Sequence, residues 1–294
     1  MIHFDYFEPV TLREAYRLLA RHGDEAKVMA GGTGLALLLK QELVQPAAVI
    51  NISRIPELHR LEGNRRGGLR IGAAVTHTEV EVSPLVRQGY PILYETLHEV
   101  AQPRVRNMGT LGGNLCHADP MQDPPATLIA LGASLVVGRA GGRRVLPVEE
   151  FFRDYYETAL EPGELLLEIR LPAPGRGDGW SRVKWTPRSK QDYATVGVSA
   201  LLRLDGRGRC RDARIGLNSV GPTAIRARQA EEALRGTRAG DEAFRAAGAA
   251  AAAEVDPSDD ARGSADYKRK MVAVWVRRAL EQARDRALAA RAAA

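Results

Sequence analysis

Cysteine is scarce in this chain of 294 residues, which contains only Cys116 and Cys210 and no CxxC pair. Two isolated cysteines cannot by themselves ligate an iron–sulfur cluster or a zinc ion, so neither centre is expected within this chain. The two thiols can pair in a single disulfide, but we expect both to be reduced, as in most cytoplasmic proteins.

Aromatic residues make up only 5% of the chain, although its net charge is +6 and its pI is about 9.5. Such a basic balance is typical of some nucleic-acid-binding proteins. Here the arginines alternate with Asp and Glu, and no basic strand carries the row of aromatic side chains that stacks on bases. We therefore predict no nucleic-acid binding and a solvated basic surface, part of which can face a protein partner.

Long apolar runs are also missing. Residues 126–138, the longest mostly apolar stretch, are too few to span a bilayer. The N-terminal sequence MIHFDYFEP has neither the basic nor the apolar region of a signal peptide. We expect a soluble, cytoplasmic protein without a membrane span.

The local patterns predict an α+β chain of two or three lobes, for which its length is sufficient. Residues 1–54 predict a small β-α-β-α-β lobe. Residues 55–174 predict a second lobe, including a helix over 92–101 whose end is marked by Pro103. Residues 175–294 predict a third lobe, in which a three-stranded antiparallel sheet precedes a bundle of helices.

Two glycine-rich segments carry the most specific chemistry. The first glycine segment is Ala30-Gly31-Gly32-Thr33-Gly34, and the second is Thr110-Leu111-Gly112-Gly113-Asn114. Loops of this composition can present backbone N–H groups to an anion, because glycine permits positive φ and has no Cβ to keep a ligand away. Taken singly, a glycine pair is more often a tight turn. Neither segment has the spacing of a P-loop or of a Rossmann fingerprint, but two such loops can hold one diphosphate between them.

Two further sites have a simple structural interpretation. Asp123-Pro124-Pro125 has the form of the N-cap, N1 and N2 residues of a buried helix over 126–131. His77 follows Thr76 at the start of a capping box, so we predict a structural role for it, with ligand contact as the alternative.

In order and with their surroundings, the two glycine segments resemble those of the FAD-binding subunits of the molybdenum hydroxylases, the family of carbon monoxide dehydrogenase and xanthine dehydrogenase. That family has AGGT followed by Ser or Asp, then T-I-G-G-N/S, a His/Asn-Asp-Pro segment and Asp-x-Pro. This chain has AGGTG, TLGGN, His117-Ala118-Asp119-Pro120 and Asp123-Pro124-Pro125. The likeness covers nearly the whole chain.

The resemblance implies a fold and its division into domains. Residues 1–174 are expected to form a PCMH/vanillyl-alcohol-oxidase-type FAD-binding domain, with lobes at about 1–54 and 55–174. Residues 175–294 are expected to form a C-terminal domain like that of the carbon monoxide dehydrogenase flavoprotein.

The resemblance also implies a set of FAD-binding residues. They are Ala30, Gly31, Gly32, Thr33, Gly34, Thr110, Leu111, Gly112, Gly113, Asn114, Asp123, Leu166 and Lys184. The two glycine segments would clasp the diphosphate and ribityl chain, and Gly34 departs from the family's Ser or Asp. Asp123 would bind the ribose hydroxyls of the adenosine, with the N-cap as its alternative role. The backbone at Leu166 would meet the adenine, and Lys184 would lie near the flavin or on the surface.

Tyr193 follows the stretch Gln191-Asp192, which matches a family segment whose aromatic residue lies against the flavin ring. We predict that Tyr193 shields the isoalloxazine, the alternative being a buried tyrosine that packs the third lobe onto the second. His117 and Asp119 are expected in a loop that faces either the flavin or a partner.

The function implied by the resemblance is electron transfer within a larger enzyme. FAD would be held non-covalently, and molybdopterin and [2Fe-2S] clusters would belong to a large and a small partner subunit, in a dimer of heterotrimers. No metal ligands are expected in this chain. A free-standing FAD-dependent oxidoreductase of the same fold is the first alternative, disfavoured because no signature histidine for covalent flavin attachment stands beside either glycine segment. A module that has lost FAD is the second, disfavoured by the intact glycine pairs.

Overall fold

The computed structural model describes residues 3–64, 66–175 and 177–292. Its strands form three larger sheets that follow one another along the chain, and a short two-stranded hairpin. Within these residues, no helix combines the length and the apolar character that crossing a membrane requires.

The first sheet is parallel, with strand order β1-β3-β2. Its elements are β1 (Asp5–Phe7), α1 (Leu12–His22), β2 (Ala26–Met29), α2 (Thr33–Lys40) and β3 (Ala48–Asn51). The predicted β-α-β-α-β lobe is therefore confirmed. Because the strands are parallel, their carboxyl ends meet at one edge, where the turn from β2 to α2 carries the first glycine segment.

The second sheet is antiparallel and five-stranded, with order β4-β5-β10-β6-β7. Its strands are β4 (Leu61–Asn64), β5 (Gly68–Gly72), β6 (Ser134–Arg139), β7 (Gly142–Pro147) and β10 (Leu165–Leu171); β8 (Phe152–Asp154) and β9 (Glu157–Thr158) form the separate hairpin. A register shift between Leu166 and Glu168 interrupts the alternation along β10, so that Leu165 and Leu167 pack with the first lobe while Leu166 and Ile169 pack with helices on the other face.

Six short helices connect β5 to β6 and cover that other face. They are α3 (His77–Val82), α4 (Pro84–Gly89), α5 (Pro91–His98), α6 (Pro103–Arg106), α7 (Leu111–His117) and α8 (Asp123–Leu131). The prediction of one helix over 92–101 was wrong in its bounds: α5 ends at His98, and Pro103 starts the next helix instead of only following the last. Proline is well suited to the first position of a helix, where its missing N–H has no intrahelical acceptor.

The third sheet is antiparallel and has four strands where three were predicted. Its strands are β11 (Gly179–Trp185), β12 (Val196–Leu204), β13 (Cys210–Asn218) and β14 (Ile225–Arg226), and the helices that follow are α9 (Arg228–Leu234), α10 (Asp241–Glu254) and α11 (Ala265–Ala292). Strand β14 was missed because two residues are too few to show alternation. The three helices share one core with the strands, as predicted.

A line of hydroxyl groups joins the third sheet to the second lobe. Thr127 of α8 lies 2.7 Å from the hydroxyl of Thr96 in α5 and 2.8 Å from that of Ser199 in β12, all three in the interior. Hydrogen bonding of each hydroxyl offsets the cost of removing it from water. Helix α8 is therefore shared by both parts of the molecule.

Candidate functional site

The first glycine segment is a helix N-terminus with free amides. Gly32 is the N-cap of α2 and adopts the left-handed conformation (φ 71°, ψ −5°) that glycine tolerates best. Within the described residues, the amides of residues 31–35 donate to no other group of the chain, and the first bond into the helix is from Ala36 to Gly32. Five successive free N–H groups at the positive end of a helix suit an anionic ligand.

The second glycine segment is not the loop that we predicted, because Gly112 and Gly113 lie in the first turn of α7, with Thr110 as N-cap. Its amides are already used: Leu111 donates to the carbonyl of Val75 (3.0 Å), Gly112 to that of Ala73 (3.1 Å) and Gly113 to the Thr110 hydroxyl (2.9 Å). A Cβ on Gly112 would lie 2.6 Å from the Cβ of Ala73. These glycines therefore allow close packing instead of presenting free amides.

The first segment nevertheless lies against Met108 and Gly109, the two residues that immediately precede the second segment. A Cβ placed on Gly31 would overlap the carbonyl group of Met108 and lie 2.9 Å from the Cα of Gly109, just before Thr110. A Cβ on Gly109 would lie 3.3 Å from the Thr33 hydroxyl. Segments far apart in sequence are thus held in backbone contact beside the N-terminus of α2.

Asp123 is the first residue of α8 rather than its N-cap, which is Gln122, and its side chain makes no capping hydrogen bond. The carboxylate instead lies between two cations of β11, with Oδ2 2.8 Å from the Nζ of Lys184 and Oδ1 2.8 Å from an Nη of Arg182. Both cations are buried. Because Gln122 is the N-cap and the Asp123 carboxylate pairs with these cations instead, the N-cap interpretation of Asp123 was wrong. Its role toward a ribose stays a prediction.

Lys184 does not lie on the surface, since its side chain is only 2% exposed. Its ammonium also donates to the backbone carbonyl of Glu99 at 3.0 Å. The carboxylate of Glu99 pairs with Arg182 at 2.5 Å and with Lys190 at 3.2 Å. Burial alone would raise the pKa of Glu99, but the two cations outweigh that effect and hold the pKa below its ordinary value.

Leu166 presents its backbone at an irregular point of β10. The register with β6 shifts between Leu166 and Glu168, so Leu167 is left out of the pairing and its carbonyl accepts from Ala73 instead. The side chain of Leu166 is buried in the core of the second lobe. Any contact with an adenine would therefore come from the backbone, as the resemblance implies.

Tyr193 is not buried as a packing residue: its side chain remains 40% exposed. Its ring lies under the guanidinium of Arg262 at 5.6 Å. Burial of the hydroxyl and the neighbouring carboxylate of Asp119 both raise the pKa of Tyr193 above its ordinary value. The alternative of a buried tyrosine between the lobes is therefore wrong.

His117 lies beside the first glycine segment. The ring of His117 comes within 3.4 Å of a Cβ placed on Gly34, and it meets Tyr156 edge-on at 5.3 Å. Asp119 is only 8% exposed. A histidine that follows the second glycine segment in sequence thus lies beside the first in space, which the sequence-based argument against a covalent flavin did not foresee.

His77 is 3% exposed and lies directly behind the meeting point, where its Cδ2 comes within 3.3 Å of a Cβ placed on Gly109. Burial and the positive charge of Arg106 lower the pKa of His77 to about 4, against a smaller opposing effect of Glu81. The ring is therefore neutral at physiological pH. It begins α3 behind the capping box of Thr76 and Glu79, as predicted.

Sequence reasoning missed Tyr156 and Arg262. The pair Tyr155-Tyr156, in a chain with few aromatics, was an available signal. For Arg262, which reaches Tyr193 from the loop before α11, the sequence offers none, because nothing local connects it to a residue 69 positions earlier in the third lobe.

The donors present fit a dinucleotide. The five free amides suit a diphosphate. Buried polar atoms without hydrogen-bond partners include Oδ1 of Asn114 in the second glycine segment, Oε1 of Gln122 and Nδ1 of His77. Buried polar atoms are rarely left unpaired in folded proteins, so these three are candidates for ligand contact.

Comparison with known proteins gives the same assignment. Residues 2–174 match the FAD binding domain in molybdopterin dehydrogenase, and residues 181–283 match the CO dehydrogenase flavoprotein C-terminal domain. The chain is 40% identical over 282 residues to the carbon monoxide dehydrogenase medium chain of Hydrogenophaga pseudoflava, covering 95% of this chain and 96% of that one. It is 34% identical to the 6-hydroxypseudooxynicotine dehydrogenase complex subunit alpha of Paenarthrobacter nicotinovorans, covering 97% and 95%.

The fold agrees as closely as the sequence. A solved carbon monoxide dehydrogenase structure from Hydrogenophaga pseudoflava, described as lacking the Mo-pyranopterin moiety of its cofactor, superposes with a TM-score of 0.93 at 41% identity, covering 97% of this chain and 99% of that one. The predicted α+β fold class and the FAD cofactor are confirmed. The chain belongs to the family of FAD-binding medium subunits of the molybdenum-containing dehydrogenases, and it is a subunit of an oxidoreductase.

Proposed function

We propose that this chain is the electron-transfer flavoprotein of a multi-subunit molybdenum hydroxylase. It would take electrons from the [2Fe-2S] clusters of a small subunit and pass them to an external acceptor, while a molybdopterin large subunit acts on the substrate. FAD, when bound, supplies the redox chemistry, accepting and releasing electrons one or two at a time. The observation that carries the proposal is the meeting of two distant glycine segments at a helix N-terminus with five free amides.

The first glycine segment supplies the diphosphate site. Gly31, Gly32, Thr33 and Gly34 provide free amides, and the absence of a Cβ at Gly31 lets the second segment lie against them. The packed support of this site consists mainly of Thr110, Leu111, Gly112 and Gly113. The amides of the last three already donate to other groups of the chain. Asn114, whose Oδ1 has no partner, adds a side-chain group that can turn toward the ligand.

Asp123 and Lys184 act together in this proposal. The ammonium of Lys184 donates to Oδ2 of Asp123, while the guanidinium of Arg182 lies 2.8 Å from Oδ1, which has no hydrogen-bond partner in the chain. An oriented carboxylate retains lone pairs for the two hydroxyls of a ribose. The third part of the chain thereby contributes to a site that is otherwise built from the first two.

The assembly and its location are also proposed. We propose an FAD-binding domain over 1–174, with lobes at about 1–54 and 55–174, and a C-terminal domain over 175–294, in a dimer of heterotrimers located in the cytoplasm. Cys116 and Cys210 are both free, in keeping with a reducing compartment. Burial raises the pKa of Cys116 to about 12 and, together with Asp212, that of Cys210 to about 11, so neither thiol is reactive.

The test is to purify the chain with the subunits that accompany it and to follow its flavin spectrum. We expect flavin that acid precipitation releases into the supernatant, and that becomes reduced when the chemically reduced iron–sulfur subunit is added. Flavin that stays with the precipitated protein contradicts non-covalent binding. Reduction by a substrate of the isolated chain would favour the free-standing oxidoreductase, and a chain without flavin would reject FAD binding.

A further inference from the structure

Helix α7 lies along the first glycine segment, with both of its ends close to it. At one end, a Cβ placed on Gly31 would lie 2.9 Å from the Cα of Gly109, the residue before the N-cap of α7. At the other end, His117, the last residue of α7, lies against Gly34. The helix therefore borders the stretch of backbone whose amides are free.

The ring of His117 turns its nitrogen-bearing edge toward Gly34. A Cβ placed on Gly34 would lie 3.4 Å from Cε1 of the ring and 3.5 Å from both Nδ1 and Nε2. Because Cα–Cβ bonds in a helix tilt toward its N-terminus, the ring lies at the end of α2 that carries the free amides. Gly34 has no side chain, so the space between its backbone and the ring stays open.

Both ring nitrogens of His117 are available to a ligand. Within residues 3–64, 66–175 and 177–292, the histidine side chains that form hydrogen bonds are those of His59 and His98, so the ring of His117 forms none. Its nitrogens are not sealed in the interior, in contrast to Nδ1 of His77. An imidazole has at least one N–H in either protonation state, so this edge can donate to an anion.

The position of the ring is fixed by the hairpin of β8 and β9. Tyr156, in the turn of this hairpin, meets the ring of His117 edge-on at 5.3 Å. The amide of Tyr156 donates to the carbonyl of Ala118 at 3.1 Å, directly after His117. An imidazole held in this way loses little conformational entropy when it binds a ligand.

One face of α7 carries both an acceptor and a donor. Asn114 and His117 are three residues apart and therefore share a face of the helix. Oδ1 of Asn114 is buried without a partner and can accept from a hydroxyl, while His117 can donate to a phosphate oxygen. Neither glycine segment nor α7 contains a lysine or arginine, so His117 is the one side chain among them that can carry a positive charge.

We propose that His117 is a binding residue for the cofactor, and that its ring edge donates a hydrogen bond to the diphosphate at the N-terminus of α2. Gly34 is the matching specificity-determining residue, because a long side chain there would come between the ring and that anion. This inference rests on the proposed function, since it needs a dinucleotide on the amides of residues 31–35.

The first test compares FAD binding by the wild type and His117→Phe, each purified with its accompanying subunits and then freed of flavin. Phenylalanine keeps an aromatic ring beside Tyr156 but has no N–H. We expect the Kd for FAD to rise about tenfold or more, because a hydrogen bond to a charged group is lost. His117→Gln retains an N–H donor and is expected to keep most of the affinity.

A Kd for FAD within about twofold of the wild type in His117→Phe would show that the ring only packs, and would overturn the proposal. Equal losses of affinity in the Phe and Gln variants would also overturn it, since only one of them lacks a donor. If His117→Phe does not fold, His117→Leu, which also lacks a donor, decides by the same criterion.

The second test uses ADP, which has the diphosphate but no flavin, as a competitor of FAD. We expect His117→Phe to raise the Kd for ADP by the same factor as the Kd for FAD. A raised Kd for FAD with an unchanged Kd for ADP would overturn the assignment of His117 to the diphosphate.

His22→Phe is the matched control. His22 also packs against an aromatic ring, that of Phe7 at 5.1 Å, and its Nε2 has no partner. It ends α1 just before β2 begins, so it lies at the edge of the parallel sheet opposite to the first glycine segment. We expect its Kd for FAD to equal that of the wild type, and a loss as large as in His117→Phe would contradict a specific role of His117. Wild-type complex with no affinity for FAD would instead reject the proposed function.

Discussion

At the scale of single residues, the site depends on contacts that leave no room for a side chain. Gly31 and Gly112 both lie where a Cβ would overlap a neighbouring backbone from another segment. The sequence identified these glycines as special but assigned the amides of both segments to the ligand. The structure shows that only the first segment has its amides free. The second segment uses its own to bond Ala73 and Val75 and to cap α7.

Gly31→Ala is expected to separate the two glycine segments. The new Cβ would lie 2.6 Å from the carbonyl carbon of Met108, and relief requires the backbone to move. Overpacking of this kind costs about 1–3 kcal/mol or more, so we expect reduced unfolding free energy and loss of FAD. The control is Gly142→Ala, where a Cβ meets nothing within 4 Å. Normal flavin content in Gly31→Ala would contradict the packing argument.

His77 predicts a pH dependence. Its folded pKa of about 4 lies below the ordinary value of 6.5, so the unfolded state binds the proton more tightly. Stability from the neutral ring is present above pH 6.5 and is lost as the pH falls toward 4, by up to about 3 kcal/mol. Denaturant unfolding measured between pH 6.5 and 4 should show a smaller decrease in unfolding free energy for His77→Leu than for the wild type. Parallel curves for the two proteins would show that His77 does not contribute.

At the scale of elements, the second glycine segment is held by helix starts that support each other. Thr76 caps α3 and forms a β-bridge with Thr110, which caps α7. The amide of His77 donates to the carbonyl of Gly109 at 2.9 Å, next to the same bridge. The capping box at Thr76 was readable from the sequence, but its pairing with the second glycine segment was not.

Thr76→Ala removes the side-chain oxygen that accepts from the amide of Glu79. We expect a loss of about 1 kcal/mol in unfolding free energy, as for other N-caps. Because the cap adjoins Thr110, FAD should also dissociate more readily. Thr76→Ser keeps the oxygen and is expected to behave like the wild type in both measurements. If the Ser and Ala variants lose equal stability, capping is not the cause.

At the scale of the whole molecule, the third sheet is fastened to the second lobe by a buried cluster of charges. The cluster consists of Glu99 at the end of α5, Asp123 of α8, and Arg182 and Lys184 of β11, and its charges alternate in sign. Buried ion pairs contribute little net stability when complete, but leaving one partner alone is costly. The cluster therefore favours one relative position of the two parts over others.

Lys184→Met should leave Asp123 buried with only Arg182 beside it. We expect a loss of about 3–5 kcal/mol in unfolding free energy. Lys190→Met removes a lysine that also pairs with Glu99 but is 83% exposed, and it should cost no more than about 1 kcal/mol. Chemical denaturation of the full chains compares the two variants. Equal losses would show that burial of the Asp123–Lys184 pair is not what stabilises the interface.

Local patterns in the sequence determined the fold class, the elements of the parallel lobe, the capping box at Thr76 and the family. These follow from periodicity, caps and short motifs, which involve residues close together along the chain. Tertiary structure alone decided that the first glycine segment has the free amides, that Asp123 is held by Lys184 and Arg182, and that the Tyr193 ring lies beside Arg262. Hydrogen-bond partners and charge neighbours from distant segments are set by packing, and no local pattern encodes them.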